Sequence, residues 1–394
     1  VNREYMDAKA GTKQDLLYNA TLTYEKKLNN HSFKVMAGTE VGKDDGYDIS
    51  VHATDFPIKV AESLNISSNA NKTASDNWPV SRSMSFFGRV NYTFKDRYML
   101  TANIRRDGSD KFAPSNRWGT FPSINLAWRF SEEPFVKNVL PWLENGKIRA
   151  SWGMLGNDGI GQFLYSRAYE GSVLYSFGGN GTSLGWGNYK VPNENIKWEQ
   201  VNQTDIGLDL MFLNNRLNFV YDYYNRQTKD MLYWSTLPMG SGVGDYDSQN
   251  PTMPINIEVQ NIGHEFTVNW NDKIRDFKYG IGINASFNEN KVIDLGVEGA
   301  ILTDGDYNRT ESGKPMGMLY GYKALGIFQN QEQVDAYNAK AQAAGQPYYF
   351  RPQTGPGDII YDDMGKGYVS GSSQTYIGDP WPDMTLGLNL NAQW

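Results

Sequence analysis

The stretch Met84-Ser85-Phe86-Phe87-Gly88-Arg89-Val90-Asn91-Tyr92-Thr93-Phe94, then Lys95-Asp96-Arg97, then Tyr98-Met99-Leu100-Thr101-Ala102-Asn103-Ile104-Arg105, alternates with a period of two residues. Met84, Phe86, Gly88, Val90, Tyr92 and Phe94 share one face, with Tyr98, Leu100, Ala102 and Ile104 on the matching face of the second run. Ser85, Phe87, Arg89, Asn91 and Thr93 occupy the other face, with Met99, Thr101, Asn103 and Arg105. A three-residue connection between two such runs predicts an antiparallel hairpin with one apolar and one polar face. The same pattern recurs on either side. Leu16, Tyr18, Ala20, Leu22 and Tyr24 alternate with Leu17, Asn19, Thr21, Thr23 and Glu25, and Phe33, Val35, Ala37 and Val41 with Ser32, Lys34, Gly38 and Glu40. Further on, the same alternation holds for Ile124, Leu126, Trp128 and Phe130, then Ile148, Ala150, Trp152 and Met154, then Ile206, Leu208 and Leu210. The series continues with Leu217, Phe219, Tyr221 and Tyr223, with Phe266, Val268 and Trp270, with Phe277 to Phe287, and with Leu386, Leu388 and Leu390. That makes about eleven strands, many roughly 9–11 residues long, the length a tilted strand needs to cross a bilayer.

The connections sort by length. Short ones fall at 28–31, 95–97, 131–146, 213–215 and 271–276; long ones at 43–82, 106–117, 155–197, 229–262 and 288–384. Alternating short and long connections put all the short turns at one end, the pattern of an outer-membrane barrel with short periplasmic turns and long extracellular loops. Residues 1–394 are therefore read as part of one β-barrel domain, all-β, transmembrane, antiparallel and up-and-down. The alternative is a soluble or surface β-sandwich that binds or processes glycans; a second is a passive porin. Composition agrees with a two-faced sheet. Aromatics are 14% and Tyr alone numbers 25 in 394 residues, yet mean hydropathy is −0.57. No apolar run of about 18 residues exists, so no transmembrane helix is expected. The absence of cysteine removes disulfides and thiolate chemistry, and a net charge of −7 argues against nucleic acid as a partner. An odd strand number leaves both edges unpaired, which lipid does not tolerate. The reading is a piece of a larger barrel, with several hundred further residues expected before Val1 and more strands after Trp394.

Particular strings then resemble the SusC-like TonB-dependent transporters of Bacteroidetes. They include Ser85-Phe86-Phe87-Gly88-Arg89-Val90-Asn91-Tyr92, Arg105-Arg106-Asp107-Gly108-Ser109, Arg117-Trp118-Gly119 with Phe121-Pro122-Ser123, and Gly156-Asn157. Lys197-Trp198-Glu199, Thr204-Asp205-Ile206-Gly207-Leu208-Asp209, Asp222-Tyr223-Tyr224-Asn225 and Pro356-Gly357-Asp358 continue in order. The resemblance implies a barrel of about twenty-two strands with an N-terminal plug, of which this chain supplies about half and no plug. It also implies import of glycans or peptides across the outer membrane of a Gram-negative bacterium. The implied partners are a SusD-like surface lipoprotein, outer-membrane lipid, and the TonB-ExbB-ExbD complex through an N-terminal region absent from this chain.

No catalytic constellation is visible, and neither an enzyme nor a cofactor is expected. His31, His52 and His264 are scattered, without ligand spacing. Asp362 and Asp363 are weak metal candidates, because the alternating oxygens of a calcium loop are missing around them. Binding is the better use of the loops. Tyr165, Tyr169, Tyr175, Trp186, Tyr189, Tyr233, Trp234 and Tyr246 offer flat faces to sugar rings or peptide side chains. Inward-facing Arg89, Arg105, Arg129, Lys147, Arg149, Asp205 and Asp209 form a charged lumen wall, with the plug as their expected partner. Residues 329–345 read as a short surface helix in the longest loop.

Overall fold

The computed structural model describes residues 5–54, 64, 72–161, 164–166, 169–176, 182–188, 192–236, 252–303 and 307–394. The alternating stretches form β1 (Tyr5–Leu28), β2 (His31–Thr54), β3 (Val80–Phe94), β4 (Tyr98–Ser109), β5 (Trp118–Trp128), β6 (Leu143–Asn157), β7 (Glu199–Phe212), β8 (Leu217–Thr236), β9 (Thr252–Ile274), β10 (Phe277–Asp294) and β11 (Met384–Gln393). The chain divides into two compact units, Val1–Leu217 with Thr228–Asn256, and Asn218–Gln227 with Ile257–Trp394. In the first, β1 to β7 are hydrogen-bonded in chain order, each antiparallel to the next. In the second, β9, β10 and β11 do the same, and β8 contributes residues to both units.

Register carries each face across the strands. Tyr92 opposes Leu100, Leu100 opposes Leu126, Leu126 opposes Ala150, and Ala150 opposes Ile206. Three residues away, Arg89, Asn103, Ser123 and Gly153 line up on the polar face. In the second unit Val268, Ile283 and Leu388 form an apolar row, with Trp270, Ile281 and Leu390 beside it. A sandwich would bury these rows under a second sheet. Here Ile124 is 41% exposed, Leu126 50% and Leu388 67%, as lipid-facing residues are.

Aromatic rings bound the apolar band. At the short-turn end the His31 and Phe94 rings are 4.7 Å apart, Phe33 and Tyr92 4.8 Å, and Phe94 and Tyr98 6.2 Å. At the other end Phe86 stacks 6.3 Å from Trp118, which also lies 5.3 Å under the Arg106 guanidinium. β5 runs between the belts, 11 residues from Trp118 to Trp128. Tilted roughly 40°, such a strand spans about 25 Å, the height of an outer-membrane barrel's apolar band.

The short turns are tight. Asn29, Lys95, Asp96, Leu213, Asn214, Asn215 and Arg275 all take positive φ, between 49° and 63°, the left-handed geometry that matches strand twist in two-residue hairpins. The connection after β5 differs: it holds a 3-10 turn (Phe130–Glu132) and a short helix α1 (Pro134–Val139). Glu133 stands between them and closes the aromatic belt. Its carboxylate accepts from the Tyr98 hydroxyl at 2.6 Å, Arg97 Nη1 at 3.1 Å and Trp128 Nε1 at 3.3 Å. The Tyr98 hydrogen bond, with those from Trp128 and Arg97, outweighs burial and holds the Glu133 carboxyl below its ordinary value. A depressed carboxyl contributes stability above its unfolded pKa of about 4.3, and that contribution fades as pH falls through the lower folded value. Glu133→Gln is thus expected to lower the urea midpoint of the detergent-solubilised protein at pH 7, with the gap to wild type narrowing below about pH 4. A gap independent of pH would refute this role.

Several strands run well past the bilayer. β1 and β2 pair from Leu28↔His31 to Tyr5↔Thr54, whereas alternation in the sequence fades near residue 43. Beyond the lipid both faces meet water, so polar residues on either face are compatible with a strand. His52 Nδ1 lies 2.6 Å from Asp7 Oδ1, and Lys9 pairs with Asp48 at 3.6 Å, across this outer ribbon. β4 likewise continues to Ser109, and β8 to Thr236.

The longest connection is itself folded. Met318–Tyr322 pairs with Asn308–Arg309 and with Gln374–Gly378; Ala324–Ile327 pairs with Ile359–Tyr361. Helix α2 (Gln331–Ala343) starts where the Asn330 side chain accepts from Gln333 N at 2.9 Å. Phe328, Val334, Ala341, Tyr349 and Val369 form its buried core. The helix expected at 329–345 is therefore present, packed through Val334 and Ala341. No helix among the described residues is long and apolar enough to cross a membrane.

Candidate functional site

Strings far apart in the sequence meet at the long-loop end of the first unit. Phe112, Phe121, Ile196 and Trp198 form one buried cluster. The Trp198 ring lies 5.1 Å from Phe112 and 5.4 Å from Phe121, and its Nε1 donates to Arg117 O at 3.1 Å. Phe121 sits against two glycines: a Cβ would lie 2.3 Å from its ring at Gly119 and 2.0 Å at Gly156. Ser109 Oγ donates to Asp158 Oδ2 at 2.9 Å, and Asn116 Nδ2 donates to Glu194 O and Ile196 O. These bonds tie the segments after β4, after β6 and before β7 together.

A pocket of about 700 Å³ opens beside the cluster, lined by Ala113, Pro114, Ser115, Tyr165, Ser166, Glu194 and Asn195. It combines one tyrosine, one carboxylate, one amide and two serine hydroxyls. Such a set can stack on a flat apolar ligand face and hydrogen-bond to hydroxyls or amides. Sequence reasoning found Tyr165 and missed Glu194, Asn195, Ser115 and Ser166, which have no periodic or motif signal. The one cue was Lys197-Trp198-Glu199, whose Trp198 anchors the segment carrying Glu194.

Tyr169, Tyr175 and Trp186 stand on a separate hairpin, Tyr169–Ser176 with Thr182–Asn188. Tyr233 and Trp234 belong to the end of β8. Tyr189 and Tyr246 lie outside the described residues.

The polar face below carries the expected charges, and they pair along the wall. Asp209 receives Lys147 Nζ at 2.6 Å and Arg149 Nη2 at 2.9 Å. Asp205 accepts from Ser151 at 3.0 Å and Gln203 at 2.8 Å. Arg105 reaches Asp107 at 2.6 Å, Glu40 at 2.9 Å and Ser85 Oγ at 2.9 Å. Arg89 Nε donates to Asn103 Oδ1 at 2.6 Å, while Arg129 Nε is buried without a hydrogen-bond partner among the described residues.

Asp362 and Asp363 serve a turn. Asp362 Oδ1 accepts from Met364 N, and Asp363 accepts from Gly365 N and Gly367 N at 2.8 and 3.1 Å. The histidines contact sheet neighbours: His31 the Tyr92 hydroxyl at 2.8 Å, His52 Asp7, and His264 the Tyr221 hydroxyl at 2.9 Å.

A family model described as "TonB dependent receptor-like, beta-barrel" matches residues 3–394. The chain belongs to this family. It is an outer-membrane β-barrel segment. It is similar to TonB-dependent receptor P3 of Formosa agariphila, 31% identical over 95% of this chain and 36% of the relative. It is also similar to TonB-dependent receptor SusC of Bacteroides thetaiotaomicron, 30% identical over 97% of this chain and 36% of the relative. The chain thus spans a little over a third of the length of these relatives. Among solved structures, the RagAB peptide importer in its closed-closed state superposes with a TM-score of 0.76. That match has 20% identity and covers 99% of this chain and 41% of the other, so it speaks for the fold.

Proposed function

We propose that this chain is part of the wall of a TonB-dependent importer that carries glycan or peptide nutrients across the outer membrane. The observation that carries the reading is the pocket of Tyr165, Glu194, Asn195 and two serines, set at the long-loop end of a family barrel. On this reading the pocket takes substrate at the cell surface. The wall charges Arg89, Arg105, Arg129, Lys147, Arg149, Asp205 and Asp209 face a plug supplied by the rest of the protein. Energy comes from the TonB-ExbB-ExbD complex, and a SusD-like lipoprotein covers the long-loop end. The family is one of receptors and transporters, which agrees with a binding rather than a catalytic role for these residues.

Uptake of labelled oligosaccharide and oligopeptide pools by cells carrying the full transporter tests this. Removing TonB is expected to abolish uptake, whereas a passive porin would keep it. Tyr165→Ala with Glu194→Gln is expected to lower uptake of the preferred pool about tenfold, equivalent to ~1.4 kcal/mol of lost binding. Unchanged uptake by this variant, at unchanged surface abundance, would remove the pocket from the pathway.

A further inference from the structure

The lipid-facing side of the first unit carries an apolar groove of about 400 Å³ at the short-turn end. Tyr98 and Trp128 wall it on the turn side; Leu100, Leu126, Ile148 and Ala150 are among the residues that line the rest. Its depth comes from register. Ala150 stands between Leu126 and Ile206 in one row, where neighbouring strands present larger side chains. The two aromatic walls are pinned from outside the band, because Tyr98 and Trp128 both donate to Glu133. Held this way, the rings cannot fold over and fill the space.

Charge gathers just beyond the walls. Lys95 Nζ lies 5.2 Å over the Phe94 ring, itself 6.2 Å from Tyr98, and Lys95 makes no ion pair among the described residues. Arg97 gives Nη1 to Glu133, which leaves its other N–H groups for a further acceptor. Glu132 is engaged by Lys137 at 2.6 Å. With Asp96 between Lys95 and Arg97, the turn keeps a net positive charge. Apolar depth under a cationic rim is the complement of one lipid tail joined to a phosphate.

We propose that the groove holds one acyl chain of a glycerophospholipid of the periplasmic leaflet, with its phosphate at Lys95 and Arg97. The site continues the lipid-facing surface and differs from it in holding one molecule by both ends. Glu133 is its positioning residue.

Native mass spectrometry of the full transporter, extracted from outer membranes in mild detergent, reads the retained lipid. Wild type is expected to retain a phospholipid that Ala150→Leu, which fills the groove, loses. Ala285→Leu adds the same bulk on the second unit's apolar face and is expected to keep it. Lys95→Gln with Arg97→Gln is expected to lower retention of phosphatidylglycerol about tenfold relative to wild type, a loss of ~1.4 kcal/mol for the charge contacts. Should Ala150→Leu fail to assemble, phosphatidylglycerol with a diazirine-bearing acyl chain provides the second readout on wild type. Crosslinks within residues 92–100 and 126–150 support the site. Equal retention by Ala150→Leu and wild type, crosslinks elsewhere, or retention of lipopolysaccharide alone would each overturn it.

Discussion

Trp198→Ala is expected to cost about 3–5 kcal/mol, the range for truncating a buried large aromatic side chain. Trp198 is 7% exposed and does three jobs at once. Its ring fills the space between Phe112 and Phe121, its Nε1 gives the Arg117 carbonyl a second hydrogen bond beside that of Ser109 N, and it fixes the segment carrying Glu194 and Asn195. Truncation leaves a cavity that Phe121 cannot close, because that ring is already held against Gly119 and Gly156. The Arg117 carbonyl keeps its bond from Ser109 N at 3.1 Å, so the lost Nε1 bond adds little and the cavity dominates the cost. The comparison is Trp142→Ala: Trp142 is 54% exposed and, among the described residues, its ring meets only that of Phe212, at 5.4 Å, so about 1 kcal/mol is expected there. Urea unfolding of the detergent-solubilised transporter, followed by heat-modifiable gel mobility, measures both. Equal costs for the two variants would show that the cluster does not hold the loops. A second consequence separates packing from binding: Trp198→Ala should lower substrate affinity even at temperatures where the barrel stays folded, since the pocket loses its support.

The barrel was legible in the sequence wherever lipid lies on one side of a strand and water on the other. That contrast writes apolar and polar residues alternately, and Met84 to Arg105 carries it on both arms of a hairpin, with Phe87 and Met99 as exceptions on the polar face. Where water lies on both sides, the contrast disappears. Residues 43–54 contain Lys43-Asp44-Asp45-Gly46 and read as loop, yet they pair with β1 through to Tyr5. The loop aromatics were legible as a class, since Tyr and Trp stand out among Asn, Gly and Ser. Which of them meet was not, because the pocket depends on contacts between residues far apart, such as Asn116 with Glu194. Glu133 shows the same limit. Its partners Arg97 and Tyr98 lie 36 and 35 residues away, and a lone Glu-Glu pair before a proline reads as solvated charge. The family strings helped most where they mark steric necessity. Gly119, Phe121, Gly156 and Trp198 look like separate motifs, but they make one packing unit.

Ile124→Arg is expected to cost about 2–4 kcal/mol, and Asn125→Arg close to nothing, although the two residues are adjacent. Ile124 lies near the middle of β5 between the Trp118 and Trp128 belts, on the apolar row with Ala102 and Trp152. An arginine there must place its guanidinium at the bilayer midplane or reach for an interface some 12 Å away. Asn125 opposes Thr101 and Ser151 on the polar face, where a cation meets water and wall acids such as Asp205. The pair is sensitive to register, because a slip of one residue exchanges the two faces. It also discriminates between environments. In a soluble sandwich with Ile124 in its core, the arginine variant would be unstable in detergent-free buffer; in a barrel the penalty depends on the bilayer and follows its depth. Moving the substitution along the same face to Trp118→Arg, at the outer belt, is expected to reduce the cost to about 0–1 kcal/mol once the lost ring contacts with Phe86 are subtracted using Trp118→Ala. Folding into phospholipid vesicles, with the urea midpoint as readout, measures the series. A cost that fails to fall from midplane to belt would mean that this face does not lie against lipid.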